Sequence, residues 1–403
     1  MKRIPAGLLM LGLAATVIFS SCKGGSEQSN TFKLGVVTSL TGSAAAFGQA
    51  HKNGYTVALT ELNAKGGLLG KPIELVYYDD QSKPDQAVQG VTKLVDQDHV
   101  PVILGAYSSE NTRAIVPVVT QKQVPLIIPT AVADNVIQTG SPWVFRICAG
   151  SGSFARNTLD FLKNNGDPKT MAIVYENTNF GQSNDKSMRD EAGQAGIKIV
   201  DEEAYQASSP DYKALLQRVK AKNPQVIYFA SYLLDATTLM RQAAEVGLNP
   251  QYYTSAGTGF AAAEFPTKDK GAGAYAEFTF SVSQWLPTAK WNGSKEFDDA
   301  FTKLTGAHPA YHAMEAYAAL EVAVVAIQKA GNAQPAAIRD TLRAVDLPET
   351  PFGPIKFDEH GQNAHPLLIT QILDGQYKVV YPKSAAEAEA VIPAPVWSKR
   401  KGL

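Results

Sequence analysis

Leu34-Gly35-Val36-Val37-Thr38-Ser39-Leu40-Thr41-Gly42-Ser43 decides the fold, because it passes from a short apolar run into a glycine turn that opens a helix. Leu34 to Val37 reads as a strand of the kind buried on both faces in a parallel sheet. Beyond the turn, Phe47, Ala50, Gly54, Val57, Ala58 and Leu62 recur at helical spacing, and Gly66-Gly67 ends the pattern. Ile73 to Tyr78 is a second strand, and Pro84 starts a helix with Ala87, Val88, Val91, Leu94 and Val95 on one face. Val102-Ile103-Leu104 and Leu126-Ile127-Ile128 continue the strands, with a helix from about Asn111 to Gln123 between them. This alternation predicts a doubly wound α/β lobe.

The alternation restarts at Met171. Ala172 to Tyr175, Ile197 to Val200, Val226 to Phe229 and Tyr252 to Thr254 read as strands, with helices near 183–195, 212–221 and 236–246. Phe47-Gly48-Gln49 and Phe180-Gly181-Gln182 each follow a first strand and open a helix, an echo that fits duplication of one lobe. After about residue 290, helical stretches at 297–304, 311–330 and 338–345 precede only three strands, at 355–357, 367–373 and 377–380. Those strands are too few to close a third sheet, so they are expected to complete the two lobes already begun.

The N-terminus has its own signature. Lys2 and Arg3 precede an apolar run from Leu8 to Phe19, too short to span a bilayer comfortably, and Ser20-Ser21-Cys22 forms a small-residue cleavage site. This resembles a bacterial lipoprotein signal, with Phe19 standing where an aliphatic residue is usual. The resemblance implies lipidation at Cys22; an ordinary secreted protein with an incidental cysteine is the other reading. The polar stretch from Lys23 to Asn30 then serves as a flexible tether.

With 45% hydrophobic and 19% charged residues and a net charge of −1, the chain is an ordinary globular protein with no basic surplus for nucleic acid. The roughly 370 residues after the leader exceed what one core usually supports, so two domains are expected. With Cys22 lipidated, Cys148 has no partner for a disulfide and reads as a small buried hydrophobe.

Gly35 to Gly42, Leu62-Asn63-Ala64-Lys65-Gly66-Gly67-Leu68-Leu69-Gly70, Tyr78-Asp79-Asp80 with Pro84 to Ala87, Gly105 to Ser109, Tyr232, and Thr350 to Phe357 form an ordered set along the mature chain. That set resembles the solute-binding proteins of ABC importers in the leucine/isoleucine/valine-binding group. The resemblance implies two doubly wound parallel-sheet lobes joined by three hinge crossovers, the type I periplasmic binding protein fold, closing around a small ligand. Crossovers are expected near 150–152, 278–282 and 365–366. The domain limits that follow are a signal at 1–22, a tether at 23–31, an N-terminal lobe of 32–151 plus 280–365, and a C-terminal lobe of 152–279 plus 366–390.

The same resemblance places the ligand's carboxylate at Tyr107-Ser108-Ser109 and Thr130-Ala131-Val132, where main-chain N–H groups and a serine hydroxyl form an anion site without a cationic side chain. Ser109 is the expected hydroxyl donor; its alternative role is to cap its helix. Phe47 and Tyr107 from one lobe, with Phe180 and Tyr232 from the other, form the expected aromatic walls. Ala256 and Gly257 lie where amino-acid binders of the group carry an ammonium-holding carboxylate, and Val132 stands where they carry a threonine. An ammonium buried without a partner costs several kcal/mol, about tenfold in affinity for each 1.4 kcal/mol. Glu110 or Glu176 would have to supply the missing charge. Otherwise the ligand is a small, partly apolar carboxylate or amide.

No nucleophile–base pair, metal set or phosphate-binding motif is persuasive, so no enzyme and no cofactor is expected. His308 and His312 are separated by Pro309, His360 and His365 flank a turn, and all four read as surface residues. The expected partners are the small-molecule ligand, the permease subunits of an ABC importer, and the membrane through the lipid; the chain itself is expected to be a monomer. The rival reading is a ligand-sensing domain that presents its bound amide or carboxylate to a signalling partner.

Overall fold

The computed structural model describes residues 30–400 and Gly402. The leader, Cys22 and most of the tether lie outside the described residues. In chain order the first lobe begins with β1 (Phe32–Thr38), α1 (Ala45–Ala64), β2 (Ile73–Asp79), α2 (Pro84–Asp96), β3 (Ile103–Gly105), α3 (Ser109–Lys122), β4 (Leu126–Ile128) and β5 (Val144–Arg146). Its sheet runs β2-β1-β3-β4-β5, all parallel. The second lobe follows with α4 (Ser151–Asn164), β6 (Thr170–Glu176), α5 (Asn179–Ala192), β7 (Lys198–Tyr205), α6 (Lys213–Ala221), β8 (Val226–Ala230), α7 (Leu233–Glu245), β9 (Tyr252–Ser255) and β10 (Phe280–Ser283). The parallel order β7-β6-β8-β9 repeats the order of the first four strands.

Alternation of side chains along each strand fills a core on both faces. Leu34 and Val36 join Tyr55 and the later helices on one face of the first sheet, whereas Val37 and Ile103 meet Val91 and Ile115 on the other. In the second lobe, Val174 and Phe229 pack with Leu216 and Leu239, and Ile173 and Tyr228 with Phe154 and Met188. Each such buried side chain contributes about 1.5–3 kcal/mol by leaving water.

The Phe-Gly-Gln echo has a steric cause. A Cβ at Gly48 would overlap the carbonyl oxygen of Ser39, and one at Gly181 would overlap that of Glu176. In both lobes the helix that follows the first strand crosses that strand's end so closely that only glycine fits there.

The C-terminal third returns to both lobes. Helices α8 (Ser294–Thr305), α9 (Tyr311–Ala330) and α10 (Pro335–Arg343), with the short hairpin β11 (Asp346–Leu347) and β12 (Ile355–Lys356), cover the first lobe. The alanines of α9 let it lie close on α1: a Cβ at Gly54 would overlap the Ala313 carbonyl. Strands β13 (Leu368–Leu373) and β14 (Gln376–Tyr381) then join β10 in an antiparallel sheet, order β10-β13-β14. A parallel bridge from Tyr253 to Thr279 carries the second-lobe sheet into that unit.

Phe280–Ser283, which the expected limits assign to the first lobe, pairs with β13, which they assign to the second. Beyond residue 390 the chain still packs on the β9 strand. Trp397 packs on Tyr253 at 5.5 Å between ring centroids, and the Arg400 guanidinium lies 3.6 Å over the Trp397 ring.

Candidate binding cleft

Three chain passages join the lobes, around Cys148, Gln284 and Asn363. They are laced together. The Ala149 N–H donates to Gln284 Oε1 at 2.6 Å, His365 Nε2 lies 2.6 Å from the Gln284 carbonyl, and the Gln362 amide donates to the Cys148 carbonyl at 2.8 Å. Asn363 Nδ2 donates to the Ile147 carbonyl at 2.9 Å. Cys148 is free and fully buried there, and burial pushes its thiol well above the ordinary value, so it stays protonated.

Ends of both parallel sheets face one cleft, and each supplies residues from the first turn of a following helix. Ser109 opens α3, Phe180 lies in the first turn of α5, Tyr232 is the N-cap of α7, and His312 is the second residue of α9. Helix N-termini that converge in this way give a positive potential with no cationic side chain. Arg146 is buried nearby, but its guanidinium is used by Asp134, the Gln362 side chain and the carbonyls of Ala131 and Ala133. Asp134 also accepts from Ser151 Oγ and the Gly152 N–H, which fixes the start of α4.

Tyr107, Ser109, Thr130 and Val132 of the first lobe and Phe180, Tyr232 and Thr258 of the second enclose one cavity with His312. Its room for water centres is about 10 Å³, on the order of one water. Any organic ligand must therefore enter while the lobes are apart. Aromatic rings fill the space: Phe47 stacks on Tyr107 at 4.6 Å, Phe180 on Tyr232 at 5.0 Å, and Tyr107 and Tyr232 meet across the cleft at 5.9 Å.

Polar contacts also cross it. The Asn179 N–H donates to Glu110 Oε2 at 2.9 Å, Asn135 and Asn179 exchange amide hydrogen bonds, and the Thr258 N–H donates to the Tyr311 hydroxyl at 2.9 Å.

Among the expected site residues, Tyr107, Ser109, Thr130, Val132, Phe180 and Tyr232 thus share the cavity. Phe47 stands one layer behind Tyr107. Ser108, not Ser109, caps α3, with its hydroxyl accepting from the Asn111 N–H at 3.1 Å. Ser109 Oγ accepts from the Ala133 N–H at 3.2 Å, which leaves its own proton to donate. The Ala131 carbonyl turns away to Arg146. Ala256 and Gly257 do not line the cavity: the Ala256 N–H extends the sheet to the Phe229 carbonyl, and Gly257 at φ 69° packs on Val282.

Thr258 and His312 line the cavity without having been expected to. The signal was present for both, since Thr258 ends the same loop and His312 opens a helix. The expectation of four surface histidines is corrected: His308 and His360 are exposed, but His312 and His365 are buried. Helix α9 turns His312 inward against Phe47 at 4.9 Å, and Phe352 stacks on His365 at 3.9 Å. Burial holds His312 well below the ordinary histidine value and brings His365 down to about 4.

Glu176 at the end of β6 is 3% exposed with Oε2 unpartnered, and burial, with Asp235 nearby, raises its carboxyl to about 8. A larger groove of about 760 Å³ runs between Pro266 and Trp285. It is lined by Ser283 at the end of β10 and by Trp285, Tyr311 and Tyr377, and shares none of Ser109, Thr130, Val132, Phe180 and Tyr232 with the smaller cavity.

The sequence profile of the family described as periplasmic binding protein matches residues 31–376. The chain belongs to that family. A leucine-, isoleucine-, valine-, threonine- and alanine-binding protein of Pseudomonas aeruginosa is 28% identical over 83% of this chain and 88% of its own. A branched-chain amino acid transporter substrate-binding protein of Streptococcus pneumoniae, solved with isoleucine, is 26% identical with a TM-score of 0.79, covering 90% of this chain and 100% of that one. A solute-binding protein of Rhodopseudomonas palustris, solved with 3,4-dihydroxybenzoic acid, superposes with a TM-score of 0.79 at 23% identity, covering 90% and 99%. The periplasmic binding protein described here is accordingly an extracytoplasmic, type I, Leu/Ile/Val-group solute-binding component of an ABC importer, not an enzyme. Among the described residues no helix is long and apolar enough to cross a membrane, and no group of side chains is placed to hold a metal.

Proposed function

We propose that this protein captures a small, partly apolar carboxylate between its lobes. The Ser109 hydroxyl and the main-chain N–H groups of Thr130 and Val132 hold the acid group, and Tyr107, Phe180 and Tyr232 flank the rest. The observation that carries the reading is the single cavity shared by Ser109 and Tyr232. Ligand that bridges both lobes only when they meet shifts the population toward the closed form, which the permease then recognises. Relatives bind both kinds of candidate, isoleucine in one solved structure and a benzoic acid in another.

An amino acid is the second reading, and Glu176 favours it. Its carboxyl, with one unpartnered oxygen buried in the second lobe, holds a proton when alone because burial raises it to about 8, and gives that proton up beside an ammonium to supply a counter-charge that Ala256 cannot. Calorimetric titration against leucine, phenylalanine, benzoate and short acyl amides separates the two. Benzoate binding with leucine excluded supports the carboxylate reading, and tight leucine binding refutes it. On either reading the protein works as a monomer tethered by lipid at Cys22, with lobes of residues 32–151 plus 284–365 and 152–283 plus 366–400. Metabolic labelling with a palmitate analogue, compared with Cys22→Ser, tests the anchor.

A further inference from the structure

The wall of the cavity holds a polar edge that the carboxylate grip does not use. His312 is 2% exposed, lines the cavity, and its Nε2 has no hydrogen-bond partner. The Tyr107 hydroxyl, on the same wall, is likewise buried and unpartnered. Their rings are neighbours, with centroids 5.9 Å apart, so one ligand group at this wall meets both side chains. A buried polar atom left unpaired costs about 1–3 kcal/mol, so a closed cleft that leaves two such atoms favours a ligand that pairs them.

Resting on the carboxylate reading above, we propose that His312 and Tyr107 set ligand specificity by hydrogen-bonding a hydroxyl at the ligand's end remote from its carboxylate. The ligand class is then a hydroxylated aromatic acid. The imidazole is neutral, because burial between Phe47, Tyr311 and Tyr107 keeps the proton off. A hydroxyl both donates and accepts, so it satisfies a neutral ring nitrogen and a phenol together. An ammonium brings only donors and a charge that the imidazole does not neutralise. An aliphatic side chain pairs neither atom. The flat rings of Tyr107, Phe180 and Tyr232 suit an aromatic body between these polar ends.

The test is calorimetric titration of the purified protein with benzoate and 4-hydroxybenzoate. The wild type is expected to bind 4-hydroxybenzoate at least about tenfold tighter than benzoate. His312→Phe, which keeps a flat wall, is expected to weaken 4-hydroxybenzoate by about 10- to 100-fold, and by at least about tenfold more than it weakens benzoate. His312→Gln is expected to restore part of the preference. Equal affinity of the wild type for the two acids, binding of neither, or equal loss of both in His312→Phe overturns the proposal. Failure of the underlying carboxylate reading looks different: Ser109→Ala would then leave the affinity of every bound ligand unchanged. Binding of both acids that needs Ser109 and excludes leucine, with no preference for the hydroxylated one, sinks the specificity proposal alone.

Discussion

Gln284 accepts a 2.6 Å hydrogen bond from the Ala149 N–H, and its own carbonyl is met by His365, so one residue ties all three passages between the lobes. The passages are therefore a single coupled hinge, and the buried Glu315 carboxyl lies beside the same amide. Gln284→Ala leaves a buried N–H unpaired and is expected to cost about 1–3 kcal/mol, read by urea denaturation. An unchanged midpoint would show that the tie carries no stability.

The glycines under α1 and α5 give a steric prediction. Gly48→Ala and Gly181→Ala each force a methyl into a main-chain carbonyl, so each is expected to lower stability by more than about 2 kcal/mol or to prevent folding. Gly193→Ala, with open space around its Cβ and φ −62°, is expected to be neutral or to stabilise by up to about 1 kcal/mol. Thermal melts of the three variants check the contrast.

Glu176 gives a pH prediction with a definite sign. Its carboxyl is raised from 4.5 to about 8, so the folded state holds a proton that the unfolded state has lost. Stability from this group is full below about pH 4.5 and falls as pH rises toward 8. Glu176→Gln is expected to flatten the decline between pH 6.5 and 8 and to be more stable at pH 8 by about 1–3 kcal/mol. The buried histidines act the other way. His51 and His365, lowered to about 3 and about 4, destabilise as pH falls below 6.5; Glu321, raised to about 7, and Glu315, raised well above the ordinary value, act on the alkaline limb too, so the difference between wild type and Glu176→Gln isolates the carboxyl. Denaturation across pH 6.5–8 in both proteins measures it.

Asn179 gives a prediction for the closed form. Its N–H and amide reach Glu110 and Asn135 across the cleft. Asn179 does not itself line the cavity, although its amide also donates to the Ser109 carbonyl at 3.3 Å; Asn179→Ala removes these amide contacts and is expected to weaken every ligand by a similar factor, about 3- to 10-fold. A loss confined to one ligand would place Asn179 in the binding surface instead.

Both lobes were legible because parallel strands buried on two faces are continuous apolar runs, and because glycines mark where each first helix crosses its strand. The pairing of Phe280 was not legible for a physical reason: its partner, Gln371, lies far along the chain, and a four-residue strand carries no sign of which sheet it joins. His312 was misread because a helix-opening histidine looks the same whether its helix end faces solvent or an opposing lobe. Arg146 looked like an ordinary strand residue, although it is 2% exposed and anchors Asp134 beside the cleft. Charge pairing between distant segments leaves no periodicity to find. The carboxylate grip was legible only as loops preceding helices, and the identity of the capping serine depended on one residue of register.

A crystal structure of the protein with its tightest ligand from the calorimetric panel tests the central claim most directly. The account predicts a carboxylate within hydrogen-bond distance of Ser109 Oγ and the main-chain N–H groups of Thr130 and Val132, with the ligand body between Tyr107 and Tyr232. A ligand seated in the groove between Pro266 and Trp285, or one whose acid group faces away from Ser109, would contradict it.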